Sequence, residues 1–370
     1  MQILFPGNFS SEQELPNRKY YHNLVNNQAE YNLMVFVTGA TGILGRVIVL
    51  ELLKKGKNVR ASKRATSNLN EVRNSYSFYT ENPDDFFNKI EWVDVDFDDI
   101  HSLQDALKGV DEVYHCAAKV SFNPKDEKEM YHTNSKGTEN LLFACEGSDM
   151  KKFLHVSSVA VLDNFNEKGE LDEESEFNPK LEHSAYAISK HLSEMEVWRA
   201  SAEGLNTIII NPGMIIGSGN WSQSSGELFQ TFEGNSFTFP GGTSYVDVRD
   251  VAKISIELME KNIFGERFLI VSETTKYADF GGQIRQKLGL KKAKILSKSL
   301  LNAGRVANIL FGWFIPKLRM VTKSNIEAVS SLNIISNQKI KERLDYHFIP
   351  VSESVDFHLN NYINDKKLKK

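Results

Sequence analysis

The sequence predicts an α/β protein: a doubly wound parallel sheet with helices on both faces, followed by a smaller, mostly helical C-terminal region. Three observations carry this. From Met34 onward, apolar runs of strand length alternate with segments of helical periodicity. The first run, Met34-Val-Phe-Val37, meets Gly39, Gly42 and Gly45 at three-residue spacing just before a helical pattern begins. Finally, 370 residues, 41% hydrophobic and 25% charged, suffice for the core of one large unit or two joined domains.

The glycine stretch reads as buried strand, tight turn and helix. Glycines let the backbone approach a pyrophosphate closely, and the free N–H groups at Ile43, Leu44 and Gly45, with Thr41 in the turn, face phosphates at the positive end of the helix dipole. The spacing departs from G-x-G-x-x-G, so an ordinary glycine-rich βα turn is the competing reading. Strands are expected at 34–38, 58–62, 90–95, 111–116, 152–157 and 206–211, and helices at 43–55, 100–109, 129–147 and 182–203. In such a sheet a ligand sits at the carboxyl ends of the strands. The segment 66–89, rich in Asn, Ser and Asp, reads as a surface insertion.

Residues 1–33 lack a basic start followed by an apolar run, so no secretory signal is expected, and a loose extension or a mis-assigned start accounts for them. The expected domains are 34–215 for dinucleotide binding, with 245–271 returning to it, and 216–244 plus 272–350 for substrate. A C-terminal helix and tail at 351–370 ends in the frayed charge run Asp365 to Lys370.

The end of the second strand, Lys63-Arg64, is basic where an NAD site places an acid for the ribose 2′-OH. Basic residues suit the 2′-phosphate of NADP, although NAD stays open. Asp96, after the third strand, is placed to accept from an adenine amino group with Phe97 near the ring, while Asp99 caps the next helix. Small residues at Cys116-Ala117-Ala118 leave room for a nicotinamide ribose or for tight packing. The net charge of −4 and pI of about 6.2 argue against a nucleic-acid or anionic-membrane surface. Cys116 and Cys145, both in apolar surroundings, suit a reducing cytoplasm, and scattered histidines without a Cys cluster predict no metal.

Chemistry concentrates at Tyr186 and Lys190, four apart and therefore on one helix face, with Ser157-Ser158 ending the preceding strand. A phenol of pKa near 10 is a poor acid–base at neutral pH. A neighbouring ammonium is expected to lower it, and a serine hydroxyl to orient a carbonyl. His155 reads as a packed strand histidine and His183 as a helix-start residue. Asn134 reads either as part of a proton relay toward Lys190 or as a structural amide.

These residues resemble the extended short-chain dehydrogenase/reductases, the NAD-dependent epimerase/dehydratase family, over roughly 34–350. The motifs are Thr38-Gly-Ala-Thr-Gly-Ile-Leu-Gly45, Asp96-Phe-Asp-Asp99, Asn134-Ser-Lys-Gly-Thr138, Ser157-Ser158, Tyr186-Ala-Ile-Ser-Lys190 and Asn211-Pro-Gly213. The resemblance implies a Rossmann fold with Ser158, Tyr186 and Lys190 as the catalytic set, Tyr186 the acid–base, and Asn134 beside them. It also implies cofactor contacts from the glycine turn, Lys63, Arg64, Asp96, Phe97, Ala117, Tyr186, Lys190, Pro212 and Met214. Val59 to Arg64 and Tyr245 to Ala252 look like the dihydroflavonol reductase and 3β-hydroxysteroid dehydrogenase branch. Val161-Leu-Asp163 and Cys116-Ala-Ala118 depart from the family pattern, and the first weakens a sugar-nucleotide reading.

The leading expectation is an NADPH-dependent reductase of an apolar aldehyde, ketone or hydroxysteroid-like substrate. A sugar-nucleotide epimerase or dehydratase with retained NAD is the runner-up, and a non-catalytic NADP sensor the third. The expected partner is a small-molecule substrate, with a homodimer as the assembly to consider and no transmembrane span. Trp221, Phe229, Phe232, Phe237 and Phe239 are expected to line the substrate pocket. The apolar run Ile309 to Ile315 is too short to span a bilayer. It reads first as buried lid or core, then as a greasy pocket or membrane-surface contact.

Overall fold

The computed structural model describes residues 33–221, 224–311 and 315–368. The expected extension at 1–32 lies outside them. Seven parallel strands form the main sheet: β1 (Met34–Thr38), β2 (Asn58–Lys63), β3 (Glu91–Asp94), β4 (Glu112–His115), β5 (Lys152–Val156), β6 (Asn206–Pro212) and β7 (Glu266–Ile270). Their order is β7-β6-β5-β4-β1-β2-β3. The chain therefore reverses direction across the sheet between β1 and β4, which opens a crevice at their carboxyl ends.

Alternation within the strands splits the core. Val35 and Val37 belong to one buried cluster and Phe36 to the other, and Tyr114 and Val113 divide likewise. Helix α1 (Ile43–Lys54) is buried at ten of its twelve positions because the sheet lies on one side and the helix Val248–Glu260 on the other. Each fully buried Val, Ile or Leu there contributes about 1.5–3 kcal/mol.

Two expectations for the elements change. The helix expected over 129–147 is interrupted: Glu127–Met130 is α-helical, Tyr131–Lys136 forms a π-turn, and Gly137–Glu146 resumes the α-helix. The segment 245–271 packs on the dinucleotide-binding core through the helix Val248–Glu260 and the strand Glu266–Ile270, but the strand at its start joins another sheet. Gly242–Asp247 instead pairs with Met214–Ile216 and Glu273–Lys276 in a separate three-stranded sheet. Local propensity does not distinguish these partners.

Tyr186 and Lys190 lie on α2 (Ala185–Ala202), capped by Ser184, whose hydroxyl accepts from Ala187 N. Two further helices, α3 (Lys298–Phe311) and α4 (Lys323–Ser330), form a hairpin, and α5 (Val351–Leu368) closes the C-terminal region. Trp221 and Phe229 are buried against Tyr362, and Phe232 packs on Phe280. These three rings therefore build the core beneath α5 rather than an open pocket, while Phe237 and Phe239 are exposed. The expectation of buried lid or core at Ile309 to Ile315 also fails. Ile309, Leu310, Phe311 and Ile315 are all exposed, and 312–314 lie outside the described residues. No helix among the described residues is long and apolar enough to cross a membrane.

Candidate active site

At the end of β1, Gly39 takes φ +64, and an added Cβ would lie 2.6 Å from Ala117 N after β4. A Cβ at Gly45 would lie 2.3 Å from Gly39 O, so the helix start is pressed onto the turn. Gly42 differs: its Cβ would meet only Gly39 O, at 3.2 Å, and as the N-cap of α1 it makes no side-chain cap bond. The first N–H groups of α1, at Ile43 and Leu44, are thus left without an intrahelical or side-chain partner among the described residues, beside an open stretch of backbone. A pyrophosphate fits that arrangement.

The turn is held by a residue that motif reading missed. Arg46 is fully buried; its guanidinium donates to the carbonyls of Thr41 and Gly42 and pairs with both oxygens of Glu71 at 2.8 Å. Glu71 also accepts from Asn220 N at 2.7 Å, which ties the insertion and the loop after Ile216 to the turn. Its only sequence signal is a cation one residue beyond the last motif glycine.

The other cofactor candidates separate. Lys63 is committed to Asp94, with Nζ 2.6 Å from both carboxylate oxygens. Arg64 is exposed, and its guanidinium has no partner among the described residues. Asp96 accepts from Asp98 N at 3.0 Å with one oxygen, while Phe97 packs toward His115 with ring centres 5.9 Å apart. Ala117 N donates to Thr38 Oγ1. Pro212 ends β6 and Met214 begins the next short strand, half-buried. Gly213 between them approaches Ser244 O so closely that a Cβ would lie 2.5 Å away.

Across the crevice the structure brings Ser158, Tyr186 and Lys190 together. Ser158 follows β5, where its Oγ accepts from Ala160 N at 3.2 Å and lies near enough to the Tyr186 phenol to favour the phenolate. Lys190, one turn along α2, is buried, and its ammonium donates to Val156 O at 2.6 Å, the ammonium's one hydrogen bond among the described residues. Two of its three ammonium hydrogens thus remain for a ligand. The expected electrostatics are reversed. Burial raises the Tyr186 phenol, with Ser158 opposing it, and burial pushes the Lys190 ammonium down to about 8, with Glu194 and then Cys116 opposing. Desolvation outweighs the attraction that the spacing suggested.

Glu194, a further turn along α2, is the second residue that motif reading missed. It is buried and accepts from Ser157 Oγ at 2.7 Å, Asn211 Nδ2 at 3.0 Å, Trp198 Nε1 at 3.4 Å and Arg267 at 3.2 Å. Asn211 Nδ2 also donates to Ser158 O at 3.1 Å. This network fixes the serine pair relative to α2. Its sequence signal is the i, i+4, i+8 series Tyr186, Lys190, Glu194.

Asn134 lies in the π-turn, where its amide donates to Lys119 O and Ser189 Oγ at 2.9 Å and its Oδ1 accepts from Lys119 N at 2.7 Å. Those bonds use the whole side chain to hold the loop after β4 against α2. His155 is buried and stacked on His115, which burial holds down at about 3, so both are neutral core histidines. His183 is clamped against Phe177 and bonded to Asn178 O at 2.9 Å, a packed residue rather than a surface one. No cluster of three or more His, Cys, Asp or Glu suited to a metal occurs among the described residues.

The model of the NAD dependent epimerase/dehydratase family matches residues 35–270. The chain is 31% identical to sterol demethylase protein B of Methylococcus capsulatus over 244 residues, covering 65% of this chain and 70% of that protein. It is 26% identical to cinnamoyl-CoA reductase 1 of Petunia hybrida over 336 residues, covering 86% and 89% of the two chains. Among solved structures it resembles the terminal R domain from the myxalamid PKS-NRPS biosynthetic pathway. There the TM-score is 0.73 at 20% identity, over 91% of this chain and 92% of that one, a likeness of fold.

Proposed function

We propose that this chain, which belongs to the NAD-dependent epimerase/dehydratase family and is an NAD(P)-dependent oxidoreductase acting on CH–OH/C=O pairs, reduces an apolar aldehyde, ketone or hydroxysteroid-like substrate with NADPH. The observation that carries this reading is the gathering of the Ser158 hydroxyl, the Tyr186 phenol and the Lys190 ammonium at one edge of the sheet. The open start of α1 lies at the carboxyl end of the same sheet. The sterol and cinnamoyl substrates in the names of the two relatives support an apolar carbonyl compound.

The N–H groups at the start of α1 would hold the pyrophosphate, and Arg64, whose guanidinium has no partner among the described residues, would hold a 2′-phosphate. Bound NADPH supplies the hydride. The protein supplies the proton and the geometry. Because burial raises its pKa, the Tyr186 phenol stays protonated at neutral pH and is suited to donate to a carbonyl oxygen. The Ser158 hydroxyl, close to the phenol, would position that oxygen beside it. Lys190 would offer a ribose the ammonium hydrogens that Val156 O leaves unused, and Glu194 keeps Ser157 and Asn211 from drifting.

The test is to incubate the purified protein with NADPH and a panel of aromatic, aliphatic and steroidal carbonyl compounds and follow loss of reduced-cofactor absorbance. Turnover of an apolar member is expected. A protein that purifies with retained NAD(H) and interconverts sugar nucleotides without added cofactor would overturn the reading.

A further inference from the structure

Helix α3 has no buried residue. Its inner side is defined by Gly304 and Asn308, four apart. A Cβ at Gly304 would lie 3.3 Å from Val321, and Asn308 Nδ2 donates to Val321 O at 3.3 Å. The side turned away carries Val306, Ile309 and Leu310, at i, i+3 and i+4, exposed by 56%, 72% and 57%. Leu300 and Phe311 flank this ridge and are also exposed. So many aliphatic side chains on one exposed surface mark an interaction site rather than ordinary surface scatter.

Helix α3 itself carries two cations, Lys298 and Arg305, and no Asp or Glu. Between Phe280 and Ile326 the sequence holds ten Lys and Arg residues and no Asp or Glu, in a chain whose net charge is −4. Lys298 and Arg305, seven apart, run along one margin of the ridge, exposed and without partners among the described residues. The average charge of the chain, which argued against an anionic surface, conceals this segregation.

We infer that α3 is a membrane-surface helix that docks on an anionic bilayer. Val306, Ile309 and Leu310 enter the headgroup–acyl boundary while Lys298 and Arg305 meet lipid phosphates. A convex aliphatic ridge on a helix that carries cations and no acid fits a bilayer surface better than an acidic protein, which would need a groove to receive the ridge. The hairpin is anchored beside the active site. On α4, Asn325 Nδ2 donates to Phe122 O at 3.1 Å, and Lys323 pairs with Glu182 at 3.0 Å, just ahead of α2. A bilayer under α3 therefore lies next to the loop after β4 and the helix bearing Tyr186. The docking itself does not depend on the catalytic reading.

The test is co-sedimentation of the full chain with phosphatidylglycerol or phosphatidylcholine vesicles, with turnover of a water-soluble carbonyl compound measured in parallel. Binding is expected on phosphatidylglycerol, weak on phosphatidylcholine and lowered by salt. Each basic residue near an anionic surface is worth about fivefold, so Lys298→Gln with Arg305→Gln should weaken binding roughly 25-fold. Val306→Asn with Ile309→Asn should abolish it, with unchanged thermal unfolding and unchanged turnover of the soluble compound. No binding to phosphatidylglycerol, equal binding to both lipids, or wild-type binding by either double variant would overturn the inference. Loss of turnover with vesicle binding intact would count against the catalytic reading alone.

Discussion

Arg64→Ala should remove the preference for NADPH over NADH, and Lys63→Ala should not. The spacing of residues treats the two as equivalent, and the structure separates them. Lys63 holds Asp94 through two 2.6 Å bonds, whereas Arg64 is exposed with no partner among the described residues. A charge-assisted bond from a guanidinium to a phosphate contributes about 1.5–3 kcal/mol, or roughly ten- to hundredfold in affinity. That factor applies to NADPH alone, since NADH lacks the phosphate. An exposed ion pair such as Lys63–Asp94 contributes about 0–1 kcal/mol, so its loss should move the NADPH/NADH ratio by no more than about fivefold. Dissociation constants for both cofactors, read from quenching of intrinsic fluorescence on wild type and the two variants, decide the matter. The reasoning fails if wild type prefers NADH, if Arg64→Ala leaves the ratio where it was, or if Lys63→Ala lowers it as far as Arg64→Ala does.

Tyr186→Phe keeps the ring and removes the proton donor, so turnover should drop by about 10² to 10⁴ while NADPH affinity holds; near wild-type turnover would exclude Tyr186 as the acid. Lys190 is pushed from 10.5 to about 8, and its charged form is the one that serves a ribose, so kcat/KM should decline as pH rises through about 8. Stability should move oppositely. A depressed lysine pKa means the fold gains as pH rises from about 8 toward 10.5 and loses that gain as pH falls again through 8. A pH–rate profile still flat about one unit above 8 would contradict the assignment. Glu194→Ala strands Arg267, Ser157 and Asn211 without their shared acceptor and should cost about 3–5 kcal/mol in urea denaturation, with turnover lowered as Ser158 loosens. A loss below about 1 kcal/mol would show the network to be dispensable.

Sequence alone determined the parallel sheet and the places where chemistry gathers. Both are written in short-range pattern: strand-length apolar runs, glycines at a turn, a phenol and an ammonium one helical turn apart. All six strands expected through 211 appear within a residue or two; β1, β5 and β6, buried inside the sheet, carry the apolar runs that such burial requires. Tertiary structure decided what no local pattern encodes. Whether an aromatic is wall or core depends on what lies behind it, so Trp221 and Phe229 vanished beneath α5 while Phe237 came to the surface. Whether a lysine activates a tyrosine depends on how much water both retain, and burial reversed the expected shift of Tyr186. Lys63 became unavailable only because β3 sets Asp94 beside it, and Glu194 and Arg46 became central only because the fold brings them donors and acceptors from distant segments. Pairing, burial and desolvation are properties of neighbours in space, and the chain order does not state who those neighbours are.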